Sequence, residues 1–266
     1  MDAKILINKK IYMLFNMTNK KRFWEKKASH LLDIIVVSII YFLAIFVVPL
    51  LPENNIYLYI LYIIVGGFFI LYIFFISHYL HMDKLEERGF GRPKKLFIRV
   101  DNLKKSTKEV LLIITPLLII GVFIASLATG FFWNANISSP TSELLGESIP
   151  WLDFIINVLA YILWGFIQQV LFLSFINVRL RKILPCNNRK DRIIISLING
   201  AIFSSYHLLN YPLCLFTFIS GTLWAYSFTK NPNMLTVSIS HGIGGTLSSI
   251  FVFNGVWTMY TGWPPT

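Results

Sequence analysis

"WLDFIINVLAYILWGFIQQVLFLSFINV", residues Trp151–Val178, contains a single charged residue, Asp153. A helix rises about 1.5 Å per residue, so this stretch is long enough to cross the roughly 30 Å hydrocarbon core of a bilayer. Near its middle stand two adjacent glutamines, Gln168 and Gln169. An unpaired side-chain amide in an apolar interior costs about 1–3 kcal/mol. Two in succession therefore imply partners on neighbouring helices.

The rest of the chain has the same character. Of its 266 residues 55% are hydrophobic and 14% charged, with a mean hydropathy of +0.63. Seven apolar segments recur, at about 31–51, 56–80, 110–133, 151–178, 192–208, 213–228 and 234–256. The fifth and sixth are short and separated only by "LNYP", so a true outer loop and a re-entrant hairpin both remain open at residues 208–213. The expected fold is all-α: a polytopic transmembrane helical bundle of about seven spans. Three divisions follow: a basic cytoplasmic segment at 1–30, accessory helices with a basic loop at 31–133, and a core at 151–256.

The net charge of +11 suggests nucleic acid until its distribution is considered. Of 24 Lys and Arg, eight lie in residues 1–30, nine in 81–108 and six in 179–192, leaving Lys230. All fall on the side that seven alternating spans assign to one compartment, and the intervening loops have none. That is the positive-inside pattern, which places the N-terminus in the cytoplasm and the C-terminus outside. The basic surface then faces anionic lipid headgroups, and nucleic acid is not expected as a partner. The first 30 residues do not read as a cleaved signal peptide, and Ile5–Met17 has the mixed character of a membrane-surface segment. Cys186 and Cys214 fall at opposite ends of the bundle and are not expected to pair. Asn136 lies in an N-x-S sequon on the outer loop. Gly89 and Gly91 read as a turn before Pro93, with a surface helix through Leu96, Phe97, Ile98 and Leu103, because no strand precedes them and no phosphate-loop lysine follows.

Polar residues concentrate in the last four segments, together with small residues as in "SHGIGGTLSS". Small residues let helices approach closely, and in-span polar groups face protein or a water-filled cavity. The first three segments have few interior polar groups, Asp33, Ser38 and Thr115, and read as a wall around this core. Among the histidines, His30, His78 and His81 read as interfacial. The i, i+3 spacing of the last two is a weak metal signal.

His207 and His241 lie inside segments. Gln168 is about 16 Å along a helix from Arg179, taken as the cytoplasmic boundary. His241 is about 15 Å from Asn231 and His207 about 22 Å from Arg192. Three helices can thus bring Gln168, Gln169, His207 and His241 together near mid-depth, with Ser204, Thr236 and Ser238 as the next polar groups. Inter-helix hydrogen bonding, worth about 0.6 kcal/mol per bond, and a functional polar site stand equal on spacing alone.

"FSSYHLLNYPLCLFTFISGTLWAYSF" with "NMLTVSISHGIGGTL" resembles the CPBP family of CAAX prenyl endopeptidases and bacteriocin-processing (Abi) membrane proteases. The resemblance covers roughly residues 151–250. Phe203 and His207 match an F-x-x-x-H motif, His241 opens an H-x-x-x-N motif, and "QQVLFL" falls where the family has E-E-x-x-x-R. It implies a cavity open to the cytoplasm in which a glutamate activates water and His and Asn stabilise an oxyanion. Here Gln168 and Gln169 replace the glutamates, Leu173 the arginine and Gly245 the asparagine. An amide cannot serve as a general base, and Gly245 is expected to leave space beside His241.

The expected function is an intramembrane endopeptidase-like protein acting on a membrane-associated or prenylated peptide, with Gln168, Gln169, His207 and His241 as its site. The alternative is an inactive family member serving as a binding scaffold or bacteriocin-immunity protein. A small transporter is the third reading. No cofactor is demanded. Zinc on His207 and His241 is the metal reading, one ligand short of a catalytic site. The expected location is a bacterial plasma membrane, with the bilayer and a lipidated peptide or protein as partners.

Overall fold

The computed structural model describes residues 27–43, 56–91, 99–100, 102–129, 150–208 and 211–251. Among them the regular structure is helical. α1 is Lys27–Phe42. α2, Ile56–Leu71, runs through a π-helical stretch, Tyr72–Ile76, into α3, Ser77–His81. α4 is Leu103–Thr129. α5, Pro150–Gln169, runs through a second π-helical stretch, Val170–Asn177, into α6, Val178–Ile183. α7 is Arg189–Ser205, α8 Tyr211–Lys230 and α9 Met234–Phe251. These continuous rods coincide with the seven apolar segments. Two of them, 63–81 and 151–183, are long and apolar enough to cross a membrane. Ile5–Met17, Asn136 and Leu96, Phe97 and Ile98 of the expected surface helix lie outside the described residues; that helix is not continued at Arg99, Val100 or Asn102, which are not helical, and Leu103 instead opens α4.

Much of the exterior is apolar, and the interior combines an apolar core with many buried polar side chains. On α1, Leu31, Ile35 and Ile39 are exposed while Ser29, His30 and Asp33 are buried. Ile63, Leu112, Ile119 and Leu163 are each more than 60% exposed, whereas the guanidinium-bearing Arg179 is 1% exposed. A contiguous apolar surface of this kind requires an apolar solvent or partner.

Close packing in the core rests on glycines. α7 and α8 form an antiparallel hairpin in which Gly200 faces Thr222 and the Phe218 carbonyl, and Gly221 faces the Phe203 ring. α5 and α9 pack equally closely. A Cβ on Gly242 would fall 2.6 Å from the Ile162 Cα, and one on Gly165 would fall 3.0 Å from His241 Cγ. α4 closes this core against α9 and α8, with Ser106 Oγ 2.6 Å from Thr236 Oγ1.

Helix starts are defined by side chains. Asn188 caps α7 in a reciprocal box with Asp191, which satisfies otherwise orphaned N–H groups. At α9, Asn233 Oδ1 accepts from Thr236 N and its amide nitrogen donates to the Arg99 carbonyl. Gly89 takes φ +81° and accepts from Met234 N at 2.9 Å. A side chain there would meet Phe228 and Met234, so this turn requires glycine. The expected turn is present, and it anchors the basic loop to the start of α9.

The π-helical stretches also find side-chain partners. Arg88 donates to the Ile73 and Phe74 carbonyls and, through Nε, to Ser174 Oγ. Asn199 donates to the Phe172 carbonyl at 2.7 Å.

The reading of the first segments as a passive wall is corrected. Asp33 accepts from Tyr72 at 2.5 Å, from Ser77 at 2.9 Å and from Arg179 Nε at 3.0 Å, and pairs with His81 Nε2 at 2.9 Å. Arg179 also pairs with Asp83 and donates to Ser77 Oγ at 2.6 Å. His30 stacks against His81 with ring centroids 4.3 Å apart. Thus Arg179, taken as a boundary cation, is a buried hub, and the side chains of His30 and His81 are buried within the protein beside it. The cause is mutual neutralisation. Two carboxylates, Asp33 and Asp83, sit against Arg179, and Asp33 also against His81, so opposite charges are buried together. Burial, reinforced by His81 and Arg179, pushes the His30 imidazole down to about 4.

Candidate functional site

The site lies where α5, α7, α8 and α9 meet. The last two turns of α5 present Tyr161, Gly165, Gln168 and Gln169 at i, i+4, i+7 and i+8, one face of a helix. α9 runs antiparallel to it with His241, Gly244 and Gly245. α8 adds Thr217, Ser220 and Trp224 along one face, and His207 stands in the turn that follows α7. Together they line a small cavity of about 50 Å³, completed by apolar side chains that include Ile114, Leu117 and Phe216.

All four expected residues are brought together, but the two glutamines differ. Gln168 lines the cavity. Gln169 is 3% exposed and its Nε2 stands 2.9 Å from His241 Nδ1. An amide nitrogen donates, so Nδ1 accepts and the neutral ring carries its proton on Nε2. Gly165 leaves the room this ring needs. Trp224 stacks on the same ring, centroids 4.6 Å apart and planes within 4°, and its Nε1 donates to Ser240 at 2.8 Å. His241 is therefore fixed in plane, rotation and tautomer.

His207 has another environment. Its ring meets Phe203 edge-on at 6.1 Å, and Phe203 lies 6.1 Å from His241 on its other side. The buried His207 Nδ1 has no hydrogen-bond partner. One histidine is thus held by an amide and an indole, while the other lines the same cavity with its Nδ1 buried and without a hydrogen-bond partner.

Other expectations are revised. Ser204 and Thr236 donate to carbonyls of their own helices, of Ala201 and Asn233, and neither they nor Ser238 line the cavity. The space expected beside Gly245 is filled. Tyr161 occupies it, with ring atoms 2.9 and 3.1 Å from where a Cβ would stand. Tyr161 and Trp224 were not singled out from the sequence. Their signal was register: Tyr161 lies seven residues before Gln168, and Trp224 four after Ser220.

The arrangement does not fit zinc. Among the described residues no three His, Cys, Asp or Glu side chains come together. A catalytic zinc takes three protein ligands, and here Gln169 already occupies one nitrogen of His241.

Among the described residues this is a helical architecture with a largely apolar exterior and a small, mainly apolar cavity that two histidines line. Residues 147–247 match the family described as Type II CAAX prenyl endopeptidase Rce1-like, so this stretch of the chain is similar to that family. No curated protein and no solved structure matches the chain.

Proposed function

We propose that the protein is a membrane-embedded endopeptidase of the CAAX type, in which two histidines and two amides replace a carboxylate-based site. The observation that supports this most is the unlike setting of the two histidines that line one cavity: His241 locked by Gln169 and Trp224, and His207 with no hydrogen-bond partner on its buried Nδ1. Gln168 orients a water between them. The neutral His207 ring takes a proton from that water on its unprotonated nitrogen as the water oxygen bonds to the scissile carbonyl carbon. The carbonyl oxygen becomes an oxyanion and accepts a hydrogen bond from His241 Nε2–H. Collapse breaks the C–N bond, and the proton on His207 passes to the leaving amine.

The substrate class is a membrane-associated or prenylated peptide, which would enter from the bilayer or cytoplasmic side. The basic loops face the cytoplasm and the N-terminus lies inside, with seven spans and the C-terminus outside a bacterial plasma membrane. Accessibility labelling of tags at the two termini tests that topology, and a C-terminal tag labelled only from the cytoplasm would overturn it.

Purified protein in liposomes, given prenylated and membrane-anchored peptides, should cleave a subset of them. His207→Ala and His241→Ala should each lower kcat by at least about 100-fold while the protein remains folded, the magnitude seen when a base or an oxyanion donor is removed. Equal cleavage by wild type and both variants would refute the assignment. Absence of cleavage by wild type, together with retained binding of the same peptides, would instead establish the scaffold reading.

A further inference from the structure

One face of α4 is left uncovered. The residues along it recur at i, i+3, i+4 and i+7 from Lys104 to Ile120, a single straight face of a helix, and they line an open groove of about 780 Å³. The opposite face, with Ser106, Val110 and Ile114, is buried where α4 packs on α9 and α8.

The groove changes character along its length. Lys104 and Lys108 stand at one end, one helical turn apart. Beyond them Leu111, Leu112, Ile119 and Ile120 line it, each more than half exposed. Thr115 and Pro116, shorter than these, give the row a waist. Among the described residues neither lysine has an ion-pair partner. The acid closest to them on α4, Glu109, is turned to another face, where it pairs with Lys230 and accepts from Asn231. Two cations therefore stand at the head of an apolar row, and nothing of opposite charge within the described chain offsets them.

The dimensions suit a lipid. From Leu111 to Ile120 the helix rises about 14 Å, close to the roughly 15 Å of hydrocarbon in one leaflet. With the basic loops on the cytoplasmic side, as proposed above, Lys104 and Lys108 fall at the headgroup level of that leaflet. We infer that this groove is a binding site for one anionic phospholipid of the cytoplasmic leaflet, its phosphate on Lys104 and Lys108 and an acyl chain along Leu111 to Ile120. A zwitterionic lipid carries no net charge to offset the lysines, and a second copy of the chain would bring the same cations against them. The inference rests on the membrane placement above and not on the hydrolytic chemistry.

Ile119→Cys, combined with Cys186→Ser and Cys214→Ser, places a single fluorophore at the foot of the groove. The full chain is loaded at one copy per nanodisc of phosphatidylcholine with a minor share of phosphatidylglycerol, and one lipid or the other carries bromine on its acyl chains. Brominated phosphatidylglycerol should quench at least about 5-fold more than its share of the lipid predicts. Lys104→Gln with Lys108→Gln should bring the quenching down to that share. Lys105 is exposed but does not line the groove, so Lys105→Gln should leave the preference unchanged. Quenching in proportion to share in the parent protein, or an equal loss in Lys105→Gln and in the pair, would overturn the site and leave the membrane placement standing. No quenching by either brominated lipid would overturn the membrane placement, and the site with it.

Discussion

At the scale of single residues, the two glutamines divide the work that their adjacency hides. Gln169 sets which nitrogen of His241 carries the proton, and Gln168 faces the cavity without a proton to take. An amide at 168 can orient water but cannot activate it. Gln168→Glu installs a carboxylate at that position. It should raise kcat about 10-fold or more and move the acid limb, which His207 sets in wild type, towards the lower pH of a carboxylate base, read from a pH–rate profile. A lower rate with an unchanged profile would mean that position 168 does not meet the water. Gln169→Leu should act differently. It leaves His241 Nδ1 buried without a donor, a cost of about 1–3 kcal/mol visible in thermal melting. The pattern of amides and histidines was legible in the sequence because these residues are conspicuous in an apolar run. Tyr161 was not, because a tyrosine among apolar residues carries no mark of which wall it faces until the opposing helix is placed.

At the scale of elements, glycine decides which helices touch. Gly242 and Gly244 are two residues apart on α9 and point to different surroundings. A Cβ at 242 would strike Ile162 backbone atoms, which cannot swing aside, whereas at 244 the nearest atom is 3.7 Å away on the Ile114 side chain. Gly242→Ala should therefore lower stability by about 1–3 kcal/mol and push α5 from α9, while Gly244→Ala should be nearly neutral. Melting temperatures of the two variants in detergent check this directly. Equal melting would show that α5 and α9 are not packed in this register. The helices themselves were legible from apolar length, and the small-residue stripe from composition. The π-helical stretches were not. Val170–Asn177 has the apolar composition of its neighbours, and what maintains its geometry is a distant side chain, Asn199, on the Phe172 carbonyl. Local sequence does not encode a hydrogen bond that depends on tertiary contact.

At the scale of the whole molecule, a polar cluster joins the two halves of the chain. α1, α3 and the loop after it meet α6 through Asp33, Ser77, Asp83 and Arg179. Sequence alone assigned Asp83 and Arg179 to a membrane surface and left Asp33 as an isolated polar group inside the first segment, because a charge near the end of an apolar run is ordinarily solvated there. Their mutual pairing emerges only when α1 is laid against α6. Removing one member leaves the others buried and unbalanced. Arg179→Met should thus destabilise the protein by about 3–5 kcal/mol. Adding Asp33→Asn and Asp83→Asn should recover much of the loss, since the stranded carboxylates are then neutral. A triple variant no more stable than Arg179→Met would mean that packing, not charge, is what Arg179 contributes. The same cluster sets a pH dependence. His30 has a folded pKa lowered to about 4 from its ordinary 6.5, so the unfolded chain binds its proton first. Its contribution is complete above about pH 6.5 and is lost as pH falls from there towards 4, below which both states are protonated. Wild-type melting temperature should fall across that window, and His30→Phe, which keeps a ring against His81, should fall less. Identical pH profiles for the two proteins would place the titrating group elsewhere.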